Sequence, residues 1–382
     1  MKEPKLRFKG FRGEWETTNI ASVASLKAGV SIDTSQEISY QIQGYYPCYG
    51  GNGLRGYVRD YTHDGIYNII GRQGALCGNV RIVTGKFHAT EHAVVVTPIK
   101  KLNPYFLFNV LTKANINQYA TGVAQPGLSV QNVNKRLYIH IPNFDEQQSI
   151  ASYFQHHDSL IQSTTKKIES LKQVKAASLQ SMFPQEGATT PRVRFKGFEG
   201  EWEKVRASNV FKTFNEKNRP DLPVLSATQD RGMVTREAIG YNIFHDKSNE
   251  ATYKHILPGQ FIIHLRSFQG GFAHSSIEGI ASPAYTIMEF KDKTRHFDLY
   301  WKYIFMSKEF IKRLELITYG IRDGRSISFE EFSEMYFTVP SYEEQKKIAS
   351  YITNLDRQIT LHTQRLEKLK QIKTACLDEM FV

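Results

Sequence analysis

One short segment, HATEH at residues 88–92, has the H-x-x-E-H spacing of a zinc hydrolase. Such a site needs both histidines on one face of a helix, where they bind the metal together. Here the segment runs directly into AVVVTP at 93–98, whose β-branched residues and proline indicate a strand and a turn. In an extended strand the two histidines lie too far apart to bind one metal ion, so we expect no zinc hydrolysis at this segment.

Other fragments of catalytic motifs are equally incomplete. Glu289-Phe-Lys291 resembles half of a nuclease site, but the nearest Pro-Asp, at 220–221, is remote, so an exposed strand end is the better interpretation. GNVRIVTGKF at 78–87 lacks the spacing and the Ser or Thr of a phosphate-binding loop. The chain also has no G-x-G-x-x-G and no N-P-P-Y-type methyltransferase motif. The sequence therefore predicts a protein without catalytic chemistry of its own.

Glycine-rich segments that also carry Arg, Asn and Gln suggest a different activity. They are YPCYGGNGLRGYVRD (46–60), GRQGALCGNVRIV (71–83), TGVAQPGLS (121–129), HLRSFQGGFAHS (264–275) and TYGIRDGRSIS (318–328). Glycine lets a backbone approach a partner closely, and Arg, Asn and Gln are the side chains that pair bidentately with base edges. The side chains suited to such contacts are Asn52, Arg55, Tyr57, Arg72, Gln73, Asn79, Gln125, Ser129, Arg266, Gln269, Arg322, Arg325 and Ser328, and a solvated surface charge is the alternative for any single arginine.

Two repeated marks show how these segments are organised. RFKGFRGEWE at 7–16 recurs as RFKGFEGEWE at 194–203, and residues 141–183 align without gaps to 339–381. Such self-similarity indicates an internal duplication. Trp15 and Trp202, which close the first mark, are expected to anchor it by packing.

Between the repeated marks lie two inserts, residues 17–140 and 204–338, that share little sequence. The first carries 11 basic and 5 acidic side chains and the second 19 and 16, so most of the net charge of +11 lies in the inserts. Binding of a polyanion explains this distribution, although a merely basic surface is the alternative. The repeated segments, 7–16 with 141–183 and 194–203 with 339–381, form a frame that carries the inserts. A repeated frame with divergent inserts suggests two units that perform the same function on two different targets.

The second repeated mark predicts two long helices. Each begins with a capping box, Asn143 with Glu146 and Ser341 with Glu344, in which the Glu side chain reaches back to the cap. Apolar residues then recur with 4-3 spacing, which is typical of a coiled-coil seam. The seam residues are Ile150, Phe154, Ile161, Ile168, Leu171 and Met182, then Ile348, Ile352, Leu355, Ile359, Leu366, Leu369, Cys376 and Met380. We expect the two helices to pair with each other in an antiparallel arrangement.

Other apolar residues on these helices lie off the seam and are candidates for binding a partner protein. They are Leu160, Val174, Leu179, Ile372 and Leu377. The three cysteines are widely spaced, which favours reduced, buried thiols over a disulfide frame or a zinc site. Because no apolar run approaches the about 20 residues that span a bilayer, and the N-terminus has no apolar signal segment, we expect a cytoplasmic protein.

The frame resembles that of a known family. Divergent inserts that alternate with helices carrying P-x-x-x-E-Q-x-x-I-A, together with RFKGF-GEWE and EEQKKIASYI, are similar to the specificity subunits of type I restriction–modification systems. The resemblance covers the whole chain. It implies that each insert is a target recognition domain reading one half of a bipartite DNA site, while the helices set the gap between halves.

The expected fold is thus α+β, with two globular target recognition domains (1–140 and 186–338) joined by two long antiparallel helices (141–185 and 339–382) in a pseudo-twofold arrangement. The resemblance also implies double-stranded DNA, two modification (methyltransferase) subunits and restriction (translocase and nuclease) subunits as partners. S-adenosylmethionine, ATP and Mg²⁺ would serve those subunits rather than this chain. The alternatives are a self-contained nuclease or methyltransferase with a cryptic site, and a two-headed transcriptional regulator.

Overall fold

The structure is a computed structural model that describes residues 3–74, 76–122, 126–185, 187–228, 231–239, 247–264, 271–318 and 327–382. It divides into two compact units. The first unit comprises Met1–Lys166 with His362–Val382, and the second comprises Lys167–Leu361. Each unit therefore includes part of both long helices, whereas the sequence-based boundaries assigned each helix to a segment of its own.

The strands of the first unit are β1 (Glu16–Asn19), β2 (Ala24–Ala28), β3 (Tyr46–Gly50), β4 (Gly53–Val58), β5 (His63–Gly71), β6 (Val80–Ala89), β7 (Ala93–Pro98), β8 (Ala120–Thr121), β9 (Gly127–Leu128) and β10 (Tyr138–Ile141). Six of them form one sheet with the order β2-β7-β5-β6-β3-β4, around which the unit is built. The helices are α1 (Pro104–Lys113), α2 (Val130–Arg136) and the long helix α3 (Phe144–Ser181). The valine-rich segment after HATEH forms β7 inside the sheet, as predicted, so His88 lies near the end of β6 and His92 lies in the following turn.

The strands of the second unit are β11 (Glu203–Arg206), β12 (Phe211–Phe214), β13 (Leu225–Thr228), β14 (Gly232–Thr235), β15 (Lys254–Ile256), β16 (Phe261–Ile263), β17 (Phe272–His274), β18 (Gly279–Ala281), β19 (Thr286–Phe290) and β20 (Tyr336–Val339). Four of them form an antiparallel sheet with the order β12-β19-β16-β17. The helices are α4 (Ala207–Val210), α5 (Asp298–Phe305), α6 (Lys308–Thr318), α7 (Phe329–Ser333) and the long helix α8 (Tyr342–Met380). Within the described residues, every helix is too short or too polar to traverse a bilayer.

The two long helices pack against each other in an antiparallel manner, which confirms the prediction. In the first unit, the hydroxyl of Tyr153 lies 3.2 Å from Cys376 Sγ, and Lys373 Nζ donates to Asp158 Oδ1 at 2.5 Å. In the second unit, Lys175 donates to Asp356 over the same distance. The predicted seam residues that are buried are Ile150, Phe154, Ile168, Leu171, Met182, Ile348, Ile352, Leu355, Cys376 and Met380.

The start of each long helix departs from the predicted capping box. The backbone N–H of Glu146 donates to Asn143 Oδ1 at 2.9 Å, as expected. The Glu146 carboxylate does not reach back to the cap, however, but accepts two hydrogen bonds from the guanidinium of Arg7, at 2.7 and 2.8 Å. The reciprocal half of the predicted box is therefore wrong. The buried carboxylate is better stabilised by a bidentate, oppositely charged partner than by a single backbone N–H.

The same contact recurs in the second unit, where Arg194 donates to both oxygens of Glu344 at 2.7 and 2.8 Å. The two frame strand pairs also match, since Glu16 lies opposite Ile141 in β1–β10 and Glu203 opposite Val339 in β11–β20. Each Arg–Glu pair, Arg7 with Glu146 and Arg194 with Glu344, is thus a structural clamp that joins the two repeated segments of its unit.

The two tryptophans of the frame are buried, as predicted. Trp15 packs edge-on against Phe106 and Phe381, with ring centroids 5.9 and 6.2 Å apart. Trp202 packs on Tyr300, against which Phe183 stacks at 5.4 Å. Phe381, which follows α8, therefore completes the core around Trp15, and Phe183, which follows α3, completes the core around Trp202.

The three cysteines are free and buried, in agreement with the sequence. Burial raises the pKa of the Cys48 thiol to about 11, so this group stays protonated and unreactive near neutral pH. Among the described residues, no group of three or more His, Cys, Asp or Glu side chains could hold a metal ion.

Candidate nucleic-acid interface

Four loops of the first unit meet at one edge of the six-stranded sheet. They are the β3–β4 turn, the β5–β6 loop (72–79), the β6–β7 turn and the segment at 126–128. The N–H of Arg72 donates to the carbonyl of His92 at 2.9 Å, and the carbonyl of Arg72 accepts from Leu128 at 2.7 Å. The N–H of Gly74 donates to Pro126 at 3.2 Å. Backbone hydrogen bonds therefore join three of the loops directly.

Glycines permit this close approach. A Cβ on Gly51 would lie 3.1 Å from the carbonyl oxygens of both Gln73 and His92, and one on Gly71 would lie 2.4 Å from the carbonyl oxygen of Gly51. Gly74 has φ +83°, which is accessible to glycine but strained for other residues. The glycine-rich pattern in this unit is thus explained by packing of one loop on another, which builds a fixed surface at the edge of the sheet.

Several predicted DNA contacts lie on this surface. Asn52, Gln73 and Asn79 are exposed. Arg72 is half-buried, and its Nη1 donates to the carbonyl of Glu91 at 3.3 Å, which fixes the direction of the guanidinium. Amide and guanidinium groups held on a rigid surface are suited to reading base edges in a DNA groove.

The structure gives other candidates a different environment. Arg55 forms an ion pair with Glu37 at 2.8 Å. Tyr57 is half-buried on β4, where its backbone pairs with Ile38. Ser129 caps α2 by accepting the N–H of Asn132 at 3.2 Å, and Ser328 caps α7 in a complete capping box. The predicted contacts that lie outside the described residues are Gln125, Arg266, Gln269, Arg322 and Arg325.

A cluster of tyrosines and cations was not found from the sequence. Lys86 Nζ lies 4.6 Å from the ring centroid of Tyr61 and 5.9 Å from that of Tyr46. Arg59 donates to the hydroxyl of Tyr45 at 3.0 Å. A hydrogen bond to Tyr61 raises the pKa of Lys86, so its ammonium stays charged. An exposed ammonium of this kind is suited to a DNA phosphate. The sequence offered one signal, since Tyr46 and Arg59 belong to the segment 46–60.

Buried histidines in the second unit are held by carboxylates. His255 lies between Glu216 and Glu278, at 3.0 and 2.8 Å, and His274 contacts Asp298 at 2.7 Å. Burial alone would raise the pKa of Asp298, but the contact with His274 outweighs it and the pKa is lowered. These groups cross-link strands and helices and give the described part of this unit a structural polar network.

The candidate partner-binding residues of the long helices fall into two groups. Val174 and Ile372, which occupy equivalent positions in the repeat, are 44% and 43% exposed. Leu179 and Leu377 are partly buried against the cores of their own units, and Leu160 is half-buried. Val174 and Ile372 are therefore the most accessible of the five.

Comparison with known proteins identifies related chains. The family model "Type I restriction modification DNA specificity domain" matches twice, at residues 12–173 and 199–371. The specificity subunit of the Escherichia coli type I restriction enzyme EcoprrI is 42% identical over 161 residues, which are 42% of this chain. A putative type I restriction enzyme MjaX specificity subunit from Methanocaldococcus jannaschii is 23% identical over 327 residues, or 78% of this chain.

These alignments cover different shares of the relatives. The match spans 40% of the Escherichia coli protein and 72% of the Methanocaldococcus protein. Among solved structures, the crystal structure of a type I restriction–modification S subunit from M. genitalium has a TM-score of 0.70 and 15% sequence identity, covering 100% of this chain and 99% of that chain. At that identity the likeness concerns the fold, which agrees with the α+β expectation.

Proposed function

We propose that this chain, which belongs to the family of type I restriction modification DNA specificity domains, is the DNA-recognition subunit of a type I restriction–modification complex. The observation that carries the proposal is the presence of two such domains on one repeated frame, with inserts that differ. Each insert would read one half of a bipartite target in double-stranded DNA, and the long helices would set the unread gap.

In the first unit, reading would use the surface formed by the four glycine-rich loops. Asn52, Arg72 and Gln73 would approach base edges, where amide and guanidinium groups discriminate between bases. Lys86 and Arg59 would contact phosphates, which position the protein without reading sequence. In the second unit, the arginine-containing segments 264–275 and 318–328 would serve the same purpose.

Members of this family are recognition subunits, so the chemistry is assigned to partners. Two modification subunits would dock on the long helices and transfer a methyl group from S-adenosylmethionine. Restriction subunits would use ATP and Mg²⁺ for translocation and cleavage. We place the assembly in the cytoplasm of a prokaryotic cell, where it would act in defence against foreign DNA.

An exchange of inserts tests the proposal. Residues 17–140 are replaced by the corresponding insert of a relative, and methylated sites are mapped in DNA from cells that also contain the modification subunit. We expect one half-site to change while the other half-site and the gap stay the same. Simultaneous change of both half-sites contradicts independent reading.

The alternatives are separated by a second experiment. The purified chain is incubated with DNA, S-adenosylmethionine and Mg²⁺ in the absence of partners. Methylation or cleavage under these conditions favours a self-contained enzyme. A modification subunit that co-purifies with the chain from cells argues against a transcriptional regulator.

A further inference from the structure

A cleft of about 450 Å³ opens on the first unit between α1, β6 and α3. This volume lies within the range of about 300–1,000 Å³ that is usual for ligand sites. The lining combines aromatic and aliphatic side chains with amide, hydroxyl and carboxylate groups. The lining residues are Ile82, Tyr105, Phe108, Asn109, Gln155, Asp158, Ser159 and Gln162.

Asn109 is the most buried residue of this lining, at 2% exposure. Its Nδ2 donates to the carbonyl of Tyr105 at 2.8 Å. Its Oδ1 is buried and accepts no hydrogen bond from the part of the chain that the structure describes. Buried polar atoms are nearly always paired with protein or with water, so this acceptor is available to a donor at the base of the cleft.

The second unit shows what fills the equivalent position. Gln147 accepts the N–H of Asn103 at 3.0 Å, and its counterpart Gln345 accepts the N–H of Phe297 at 2.9 Å. Asn103 and Phe297 thus correspond, and the residues six positions further along are Asn109 and Tyr303. The repeat therefore carries a tyrosine where the first unit carries the small amide that lines the cleft.

Tyr303 uses its hydroxyl on the long helix. It donates to Asp356 Oδ2 at 2.9 Å, while Lys175 donates to Asp356 Oδ1 at 2.5 Å. Burial raises the pKa of Tyr303, so the phenol keeps the proton that it donates. The first unit has the same lysine–aspartate pair, Lys373 and Asp158, and the aspartate lines the cleft. The acceptor that holds a phenol in one unit is therefore present in the other.

We propose that this cleft binds the side chain of a tyrosine presented by a partner polypeptide. The phenol hydroxyl donates to Asp158, as Tyr303 donates to Asp356, and the ring packs against Tyr105 and Phe108. Asn109 Oδ1 provides a second acceptor, for an N–H of the same segment. The identification of that partner as a modification subunit rests on the proposed function.

The chemistry of the cleft is tested with p-cresol, the side-chain analogue of tyrosine, by titration monitored with NMR. We expect one saturable site in the wild-type chain, with perturbed signals from Tyr105 and Phe108. Asn109→Tyr copies the second unit and should abolish that site. The reciprocal Tyr303→Asn should create a second site. Absence of p-cresol binding, or binding that Asn109→Tyr leaves unchanged, overturns the proposal.

Because Asn109→Tyr introduces a large buried side chain, Ser159→Trp provides a second way to block the cleft. Ser159 is exposed at its rim, so this variant is expected to fold normally. Affinity for the purified modification subunit should fall by at least about tenfold in either variant, and p-cresol should compete. Gln148→Trp is the matched control, since Gln148 is exposed on the same helix and does not line the cleft.

The outcomes separate this inference from the proposed function. If Ser159→Trp and Asn109→Tyr bind the modification subunit as tightly as the wild type, the docking role of the cleft is overturned and the proposed function stands. If the wild-type chain binds no modification subunit, the proposed function fails. The p-cresol titration then still decides whether the cleft accepts a phenol.

Discussion

Replacing Arg7 with alanine removes one member of an ion pair whose other member is shielded from water. The side chain of Glu146 is 1% exposed and that of Arg7 is 15% exposed. The guanidinium also donates to the carbonyl of Gly13 at 2.7 Å, so it ties the N-terminal mark to the start of α3. Loss of one partner from a buried pair costs about 3–5 kcal/mol, because the remaining charge stays buried and uncompensated.

A loss of this size is a large fraction of the free energy of unfolding of a domain, which is usually about 5–15 kcal/mol. For a unit of this size, each kcal/mol lowers the Tm by about 2–4 °C, so a decrease of about 6–20 °C is expected for Arg7→Ala. Calorimetry measures the decrease, and hydrogen exchange locates it. Exchange should accelerate in residues 3–16 and in the first turn of α3, while the first turn of α8 keeps its protection. Arg194→Ala should produce the reciprocal result.

Two controls test the physical reason. Arg12→Ala removes an exposed cation from the same segment and should change the free energy of unfolding by less than about 0.5 kcal/mol. Arg7→Met combined with Glu146→Leu removes both charges, and should recover most of the lost stability because no buried charge remains. A loss below about 1 kcal/mol for Arg7→Ala, or a double variant as unstable as the single one, refutes the reasoning.

Three further predictions concern DNA, the partner and pH. Arg72→Ala should relax specificity at one base position, at a cost of about 1–3 kcal/mol, whereas Lys86→Ala should weaken binding to all DNA sequences equally and reduce the salt slope by about 1. Binding titrations at several salt concentrations measure both effects. The reverse pattern would exchange the roles of the two residues. Asp at both Val174 and Ile372 should weaken association with the modification subunit because both side chains are exposed apolar groups; a folded variant that assembles normally places the interface elsewhere. Burial, with the charge of Arg295, lowers the pKa of His296 from 6.5 to about 4. The folded state therefore resists protonation of His296, and stability should fall between pH 6.5 and 4 by about 1–2 kcal/mol after allowance for partial exposure. His296→Phe should flatten this dependence in urea unfolding, and an unchanged slope would exclude His296 as its source.

The frame could be predicted because the chain contains it twice. The duplication itself located the seam residues, and a 4-3 apolar spacing specifies which face of a helix is buried. The structure places most of those residues in the core, Ile150 and Ile348 among them. The pairing of the helices followed from having both in one chain, and their antiparallel direction from the pseudo-twofold symmetry that the duplication suggests.

The clamp could not be predicted from local rules. A capping box is a contact between residues three apart, whereas Arg7 and Glu146 are 139 residues apart. A rule based on local spacing cannot include so distant a partner. A buried carboxylate nevertheless favours a guanidinium over a backbone N–H. The useful signal was that both copies of the repeat contain the arginine in the first segment and the glutamate in the second.

The loops were predicted as a class but not residue by residue. The glycines were interpreted as permitting close approach to a partner, whereas Gly51 and Gly71 permit close approach between the loops themselves. Glycine spacing could not distinguish Arg72, which lies on the loop surface, from Arg55, which lies on β4 and forms an ion pair with Glu37. That choice depends on tertiary contacts that leave no periodic trace in the sequence.

The way in which the frame holds its inserts explains how two different inserts share one frame. Gln147 accepts the backbone N–H of Asn103, while Gln345 accepts the backbone N–H of Phe297 and donates to the backbone carbonyl of Arg295. Every residue except proline offers both groups, so the glutamine docks an insert whatever side chains it carries there. The clamp, in contrast, joins two charged side chains and tolerates neither being lost alone. At these two positions the frame holds its inserts through main-chain groups, so the insert side chains are free to differ there, whereas a contact such as that of Tyr303 with Asp356 belongs to one insert alone.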